Sequence, residues 1–233
     1  MTIQWPDEST APLANLTLFD LDHTLLNGDS DVLWCDFLIA LGVLDRASFA
    51  ARNADMDTRY RLGSVDVAEF ANFYVGTLAG RTAQDWEPLR QEFLVSVIVP
   101  RIGRAALDLV AQHLDAGDLV VMTTATNRFI TELTARHFGI AHLIATEPQM
   151  QGGRFTGRTT GTLNMREGKV TRMHDWLAEL GHRFDDFDST AYSDSINDLP
   201  LLQAVDRAVA VDPDARLQAA AQAQGWRILH LAR

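Results

Sequence analysis

Phe19-Asp20-Leu21-Asp22-His23-Thr24-Leu25 decides how this chain is read. The stretch follows the apolar run Leu16-Thr17-Leu18-Phe19 and precedes Asn27-Gly28-Asp29, so a buried strand gives way to a loop at two acids. Strand alternation sends side chains two residues apart to one face, where like charges repel unless a cation lies beside them. Mg²⁺ suits such a place, because it takes oxygen ligands and keeps waters that a phosphate can replace. One Asp free to attack and another able to move a proton together make aspartyl-phosphate chemistry. Taken alone, the pair is equally a set of turn-forming, helix-capping carboxylates.

The rest of the composition is compatible with an enzyme of that kind. The 233 residues suffice for one large domain, or a core with a smaller insertion. Apolar residues make up 47% in short separate runs, none near the ~20 needed to span a membrane. Twenty basic against 31 acidic residues leave a net charge of −11. That balance disfavours nucleic acid and anionic membranes, but a local metal can still draw in a small anion. Cys35 is the sole cysteine, which excludes an internal disulfide, and its apolar surroundings predict a buried thiol. Residues 1–14 are polar and lack the basic start and apolar middle of a secretory signal. A disordered lead-in and a cytoplasmic protein are expected.

Short apolar strands alternate with helical patterns, which predicts an α/β fold around a mostly parallel sheet. Strands are expected near 15–20, 118–123, 142–146, 190–193, 207–211 and 227–231, and helices over 101–116, 129–138 and 170–180. The last three stop at Gly117, Gly139 and Gly181. An exposed helix is expected over 218–224. Residues 29–97 carry helical patterns such as Val32-Leu33-Trp34 with Phe37-Leu38, and Phe70-Ala71 with Tyr74-Val75, and no convincing strand. They predict a small all-helical cap inserted into a core of 15–28 and 98–233, with Pro100 marking the return. Turn residues over 152–161 predict a hairpin.

Three further pieces join the acid pair. Met122-Thr123-Thr124-Ala125-Thr126-Asn127 follows a strand and opens a helix, where hydroxyls and backbone N–H groups cradle phosphate or simply cap the helix. Lys169 begins another helix, where it neutralises a phosphoryl oxygen or only faces solvent. In Ser193-Asp194-Ser195-Ile196-Asn197-Asp198, Asp194 completes an oxygen set for Mg²⁺ and Asp198 positions Lys169 or binds metal through water; otherwise the acids favour a helix start. All four pieces fall at the C-terminal ends of expected strands or in the loops beyond, where open α/β sheets place ligands.

The order acid pair, hydroxyl, lysine, acid pair resembles the haloacid dehalogenase superfamily, over residues 16–213. The resemblance implies a Rossmann-like core and Mg²⁺. It makes Asp20 the nucleophile and Asp22 the acid and base, whose backbone carbonyl also ligates the metal. Thr124, 15 residues before Gly139, and Ala125 would then hold phosphate. Lys169 would stabilise negative charge, with Asp194 as the remaining metal ligand. Receiver domains and the superfamily's dehalogenases lack an acid at the Asp22 place, so turnover of phosphate esters is expected.

The early helical insertion is similar to the phosphoserine phosphatase branch, and the hairpin to that branch's substrate flap. Asp29 falls where those enzymes contact the substrate amine, or else it caps a helix. Asn72 or a neighbour stands where they bind the serine carboxylate with arginine. No Arg lies between Gly63 and Gly80, and Arg59 and Arg61 fit the spacing poorly. A closer likeness is to bacterial proteins often assigned as histidinol-phosphate phosphatases, through Leu25-Leu26, Gly28-Asp29-Ser30-Asp31, Trp34, Ala125-Thr126-Asn127 and Gly168-Lys169-Val170. Trp34, Phe37, Phe73, Tyr74 or Trp86 would stack on an imidazole or fill the cap interior. The expected partner is a small phosphate ester, with the chain a monomer or homodimer.

Overall fold

A computed structural model describes residues 14–231. The lead-in expected over 1–14 therefore lies, apart from Ala14, outside the described residues. The strands are β1 (Ala14–Phe19), β2 (Leu119–Asn127), β3 (His142–Gln151), β4 (Arg154–Thr160), β5 (Phe187–Ser193), β6 (Arg207–Val211) and β7 (Arg227–Leu229). They form one sheet in the order β4-β3-β2-β1-β5-β6-β7, parallel except where β4 pairs antiparallel with β3.

β1 is central and buried on both faces, which is why it reads as a nearly unbroken apolar run. Leu16 and Leu18 pack with Val121, Ile144 and Leu177 on one face. Phe19 joins Val120, Met122 and Leu143 on the other, and its ring stacks on Tyr192 at 4.6 Å. Fully burying a side chain of this size contributes roughly 3 kcal/mol.

Helices α1 (Ser30–Ala40), α2 (Arg46–Arg61), α3 (Val67–Gly76) and α4 (Ala83–Phe93) fill the chain between β1 and α5 (Arg104–Asp115). Each starts where the sequence supplies a cap: Asp29, Asp45, Asp66 and Thr82 accept backbone N–H groups, the last in a reciprocal box with Asp85. A π-helical turn, Leu94–Ile98, and a 3₁₀ turn containing Pro100 lead into α5. Trp34 meets Trp86 and Phe93 edge to face at 5.7 and 5.1 Å in the cluster shared with the sheet. A separate cluster joins Cys35, Met56, Phe70, Phe73 and Tyr74 to Ala125 and Met165. Cys35 is fully buried.

The remaining helices are α6 (Arg128–His137), α7 (Glu167–Glu179), α8 (Leu199–Ala204) and α9 (Ala215–Gln224). The structure corrects several expected limits. β2 runs on to Asn127, because β3 stays beside it past a register shift between Thr124 and Asn127. β3 runs on to Gln151, because it leaves β2 at Thr146 and takes β4 as its next partner. The hairpin is thus an extension of the sheet edge. β5 begins at Phe187, its polar Ser189 being paid for by Asp206, which accepts both its N–H and its hydroxyl. The helix expected to be exposed over 218–224 buries Ala221, with Leu217 beside it.

The hairpin lies on α3. Gly157 has φ +80°, and a Cβ there would come within 2.9 Å of the Ala79 Cβ, so only glycine allows this approach. Asn72 Oδ1 accepts the Thr159 N–H at 3.2 Å.

Candidate active site

β1 stops at Phe19, and Asp20 donates its N–H to the Tyr192 carbonyl at 3.0 Å. From there the chain coils: the N–H groups of Leu25 and Leu26 turn back to the Leu21 carbonyl, and His23 takes φ +57°. Alternation therefore no longer governs the two acids, contrary to the same-face expectation. Their carboxylates take separate sets of partners.

Asp20 meets Lys169 and Thr24. Lys169 Nζ donates to Asp20 Oδ1 and to Asp198 Oδ2, both at 2.7 Å. Ser193 also donates its hydroxyl to Asp198 Oδ2 at 2.7 Å. Lys169 sits in the first turn of α7, fully buried. The turn before it needs Gly168, since a Cβ there would collide with the Leu163 carbonyl. Burial works against the ammonium charge, but Asp198 and Asp20 outweigh it and hold Lys169 well above its ordinary range. Burial pushes Asp20 up to about 7, with Lys169 opposing and Asp198 and Asp22 adding to the rise.

Asp22 faces the other way. Its Oδ1 accepts the Ser30 N–H at 2.7 Å and hydroxyl at 2.6 Å, and its Oδ2 accepts the Thr124 and Thr126 hydroxyls at 3.1 and 3.0 Å. Thr123, one residue along β2, points to the opposite side and receives Asn164 Nδ2. Thr124 lies within β2, three residues before the α6 cap Asn127, so it is not at the helix N-terminus as expected. Ala125 belongs to the cluster of the helical segment.

Asp194 and Asp20 converge on one hydroxyl: Thr24 Oγ1 is 3.0 Å from Asp194 Oδ1 and 3.1 Å from Asp20 Oδ2. A hydroxyl has a single proton, so two carboxylates here lean on one donor. Asp194 is raised well above the usual carboxylate range by burial, then by Asp20 and Asp198. Among the described residues, no three His, Cys, Asp or Glu side chains group tightly enough to hold a metal unaided. Two converging carboxylates are nevertheless a hard oxygen set of the kind Mg²⁺ takes with waters.

Asp29 caps α1, accepting the Val32 N–H at 3.0 Å, and is only 5% exposed. Burial and Asp22 push it well above the carboxylate range. Of the aromatic candidates, Trp34 and Trp86 are interior, with indole N–H groups bonded to Thr77 Oγ1 and the Leu78 carbonyl. Arg59 is committed to Glu69 at 2.6 Å on the outside of the helical segment. The core touches that segment close to the acids, where Asn197 Nδ2 donates to the Tyr60 carbonyl and Arg166 Nη2 to that of Gly63.

Ser30, Thr126 and Ser193 stood in the quoted motifs without a role of their own, and Asn164 stood in none. Ser30 carried a local signal, as the hydroxyl after a helix cap. Asn164, fully buried and bonded to the Thr124 and Ile144 carbonyls, carried none.

With three strand ends and the start of α7 assembled in this way, comparison with known proteins decides the family. A model described as haloacid dehalogenase-like hydrolase matches residues 17–203. The chain belongs to this family. It is 39% identical over 220 residues to a histidinol-phosphatase of Neisseria meningitidis, covering 94% of this chain and 99% of that one. A solved structure from Bordetella pertussis, titled as a protein with unknown function, is 46% identical with a TM-score of 0.89, covering 94% and 99% of the two chains. A substrate-bound phosphoserine phosphatase shares the fold at 15% identity, TM-score 0.68, with 94% of each chain covered. Within the family this chain is a hydrolase of the phosphatase type.

Proposed function

We propose that this enzyme is a Mg²⁺-dependent phosphomonoesterase that works through an aspartyl-phosphate on Asp20, with histidinol phosphate as its substrate. The carrying observation is the division of labour at the acid pair. Asp20 is braced by Lys169, while Asp22 is turned aside on four donors.

In this reading Asp20 attacks phosphorus in line and the substrate oxygen departs with a proton from Asp22. Asp22 then draws a proton from the water that cleaves the acyl phosphate. Lys169 offsets charge on the phosphoryl oxygens, and the Thr124 hydroxyl and Ala125 backbone hold them. Asp20, Asp194 and the Asp22 carbonyl would hold Mg²⁺, which when bound lowers the repulsion between the anionic phosphate and the acids. Residues 29–97 act as a cap over a core of 15–28 and 98–233 and keep bulk water out. The proposal includes a cytoplasmic enzyme, monomeric or homodimeric. No helix among the described residues is long and apolar enough to cross a membrane.

Histidinol phosphate is favoured because Asp29 offers a buried carboxylate to an amine. Arg59, meanwhile, is taken by Glu69 and so is not free for a substrate carboxylate. The name of the Neisseria relative supports the same choice. Phosphoserine or another amine-bearing ester is the second reading, favoured by relatives named phosphoserine phosphatase. A catalytically retired binder has little in its favour, since it would have no use for Asp20, Asp22, Lys169 and Asp194 together.

The test is phosphate release with Mg²⁺ from histidinol phosphate, phosphoserine, sugar phosphates and 4-nitrophenyl phosphate. A kcat/KM for histidinol phosphate far above the rest is expected. Preference for another ester overturns the substrate, and no release from any ester by folded protein overturns the phosphatase reading.

A further inference from the structure

Asp20, Asp22 and Lys169 are 6%, 7% and 2% exposed, so an ester reaches them only when something that covers them moves. The segment α1–α4 meets the core at two ends, and they are held differently. The loop between α3 and α4 is stitched to the hairpin through backbone: Gly80 donates its N–H to the Phe155 carbonyl, and Phe155 its own to that of Arg81, both at 2.9 Å. Arg154 Nη1 adds a bond to the Gly80 carbonyl at 2.8 Å, and the buried Phe155 ring meets Phe129 at 5.0 Å. α1 and α4 are fixed as well, since Trp34, Leu38, Trp86 and Phe93 belong to the apolar cluster of the sheet.

The C-terminal end of α2 is gripped by side chains instead. Asn197 Nδ2 donates to the Tyr60 carbonyl at 3.2 Å, and Arg166 Nη2 to those of Gly63 and Val65 at 3.0 and 3.4 Å. The Arg216 guanidinium of α9 stands at the same place, where it would lie 2.7 Å from a Cβ on Gly63. Three core segments thus reach for one turn of chain, at a helix C-terminus that favours cations. Val65 adds an apolar footing in the cluster it shares with Met165. Arg166 is strained in this position: φ +53° and ψ −127° are a backbone that an L side chain rarely adopts. Both gripping residues adjoin the site, since the Arg166 carbonyl accepts the Lys169 N–H at 3.1 Å and Asn197 precedes Asp198. We infer that residues 60–65 are the gate through which substrate reaches Asp20, and that Arg166 and Asn197 are the clasp that holds it shut. The hairpin end is the fixed side. This inference rests on the phosphatase reading only for what passes the gate.

The experiment is hydrogen–deuterium exchange of the full chain, read by mass spectrometry, in wild type and Arg166→Gly. Glycine adopts the strained backbone freely, so this variant loses the clasp and keeps the fold. Amides of 60–65 should exchange about tenfold faster, the effect of one lost hydrogen bond to a charged group, while those of 152–160 stay as in wild type. Asn197→Ala removes the other bond, leaves Arg166 in place and should act in the same direction. Unchanged exchange over 60–65 in either variant, or a rise spread over the whole chain, overturns the gate. With Mg²⁺ present, the onset of inhibition by orthovanadate should quicken in the same proportion in Arg166→Gly. An onset no faster than in wild type overturns the role of this loop as the way in. Exchange needs no turnover, so a chain that released phosphate from no ester would sink the phosphatase reading while exchange still decided the gate.

Discussion

Lys169 Nζ lies 2.7 Å from Asp20 Oδ1, although 149 positions separate the two residues. Both are buried, and the same ammonium also serves Asp198. Lys169→Met would leave two carboxylates in the interior without a counter-charge. The cost expected in urea unfolding is about 3–5 kcal/mol, as for breaking a buried pair. A variant as stable as wild type would show that the ammonium does not hold these acids.

Asp20→Asn keeps the shape of the site and an oxygen for the Lys169 contact, but removes the nucleophile. Phosphate release should disappear while circular dichroism stays unchanged. Appreciable Mg²⁺-dependent release by pure variant would sink the assignment of Asp20.

The orientation of Asp22 depends on Ser30, Thr124 and Thr126. Ser30→Ala and Thr126→Val each remove one hydroxyl donor and should lower kcat more than they raise KM. The loss is expected at roughly tenfold per hydrogen bond to a charged group. Loss in KM alone would assign these hydroxyls to substrate binding instead.

Asp29 gives a pH dependence of known sign. Its folded-state pKa lies well above the ordinary 3.8, mainly through burial. The native state thus binds the proton more tightly than the unfolded chain, and the stability cost of the carboxylate grows as pH rises above about 4. Asp29→Asn keeps the helix cap and removes that cost. The melting temperature of the variant relative to wild type, both in EDTA, should rise between pH 5 and pH 8. Taking the difference cancels His142, whose lowered pKa acts in the opposite direction in both proteins. A difference that is flat or falls with pH would contradict the buried charge.

The motif residues were legible because each sits in a short local pattern: an apolar run ended by acids, or a glycine before a helix. That was enough to single out Asp20, Asp22, Lys169 and Asp194 as candidates and to expect a parallel sheet. Strand lengths were not legible, because β3 owes its second half to β4 and β2 its last residues to a register shift beside β3. The choice of Thr124 over Thr123 rested on spacing, whereas the structure distinguishes them by the side of β2 each faces.

The sequence by itself determined where strands end in acids and where helices are capped, since both depend on neighbours within a few residues. Only the tertiary structure decided which partners those acids have. Asp22 turns away from Asp20 because Ser30, Thr124 and Thr126 converge on it from α1 and β2. Asp29 and Asp31 are buried at the start of α1, whose Cys35 and Ile39 share one apolar cluster with Phe70, Phe73 and Tyr74 of α3. Such contacts join residues far apart in the chain, and only packing fixes which side chains are shut away from water together.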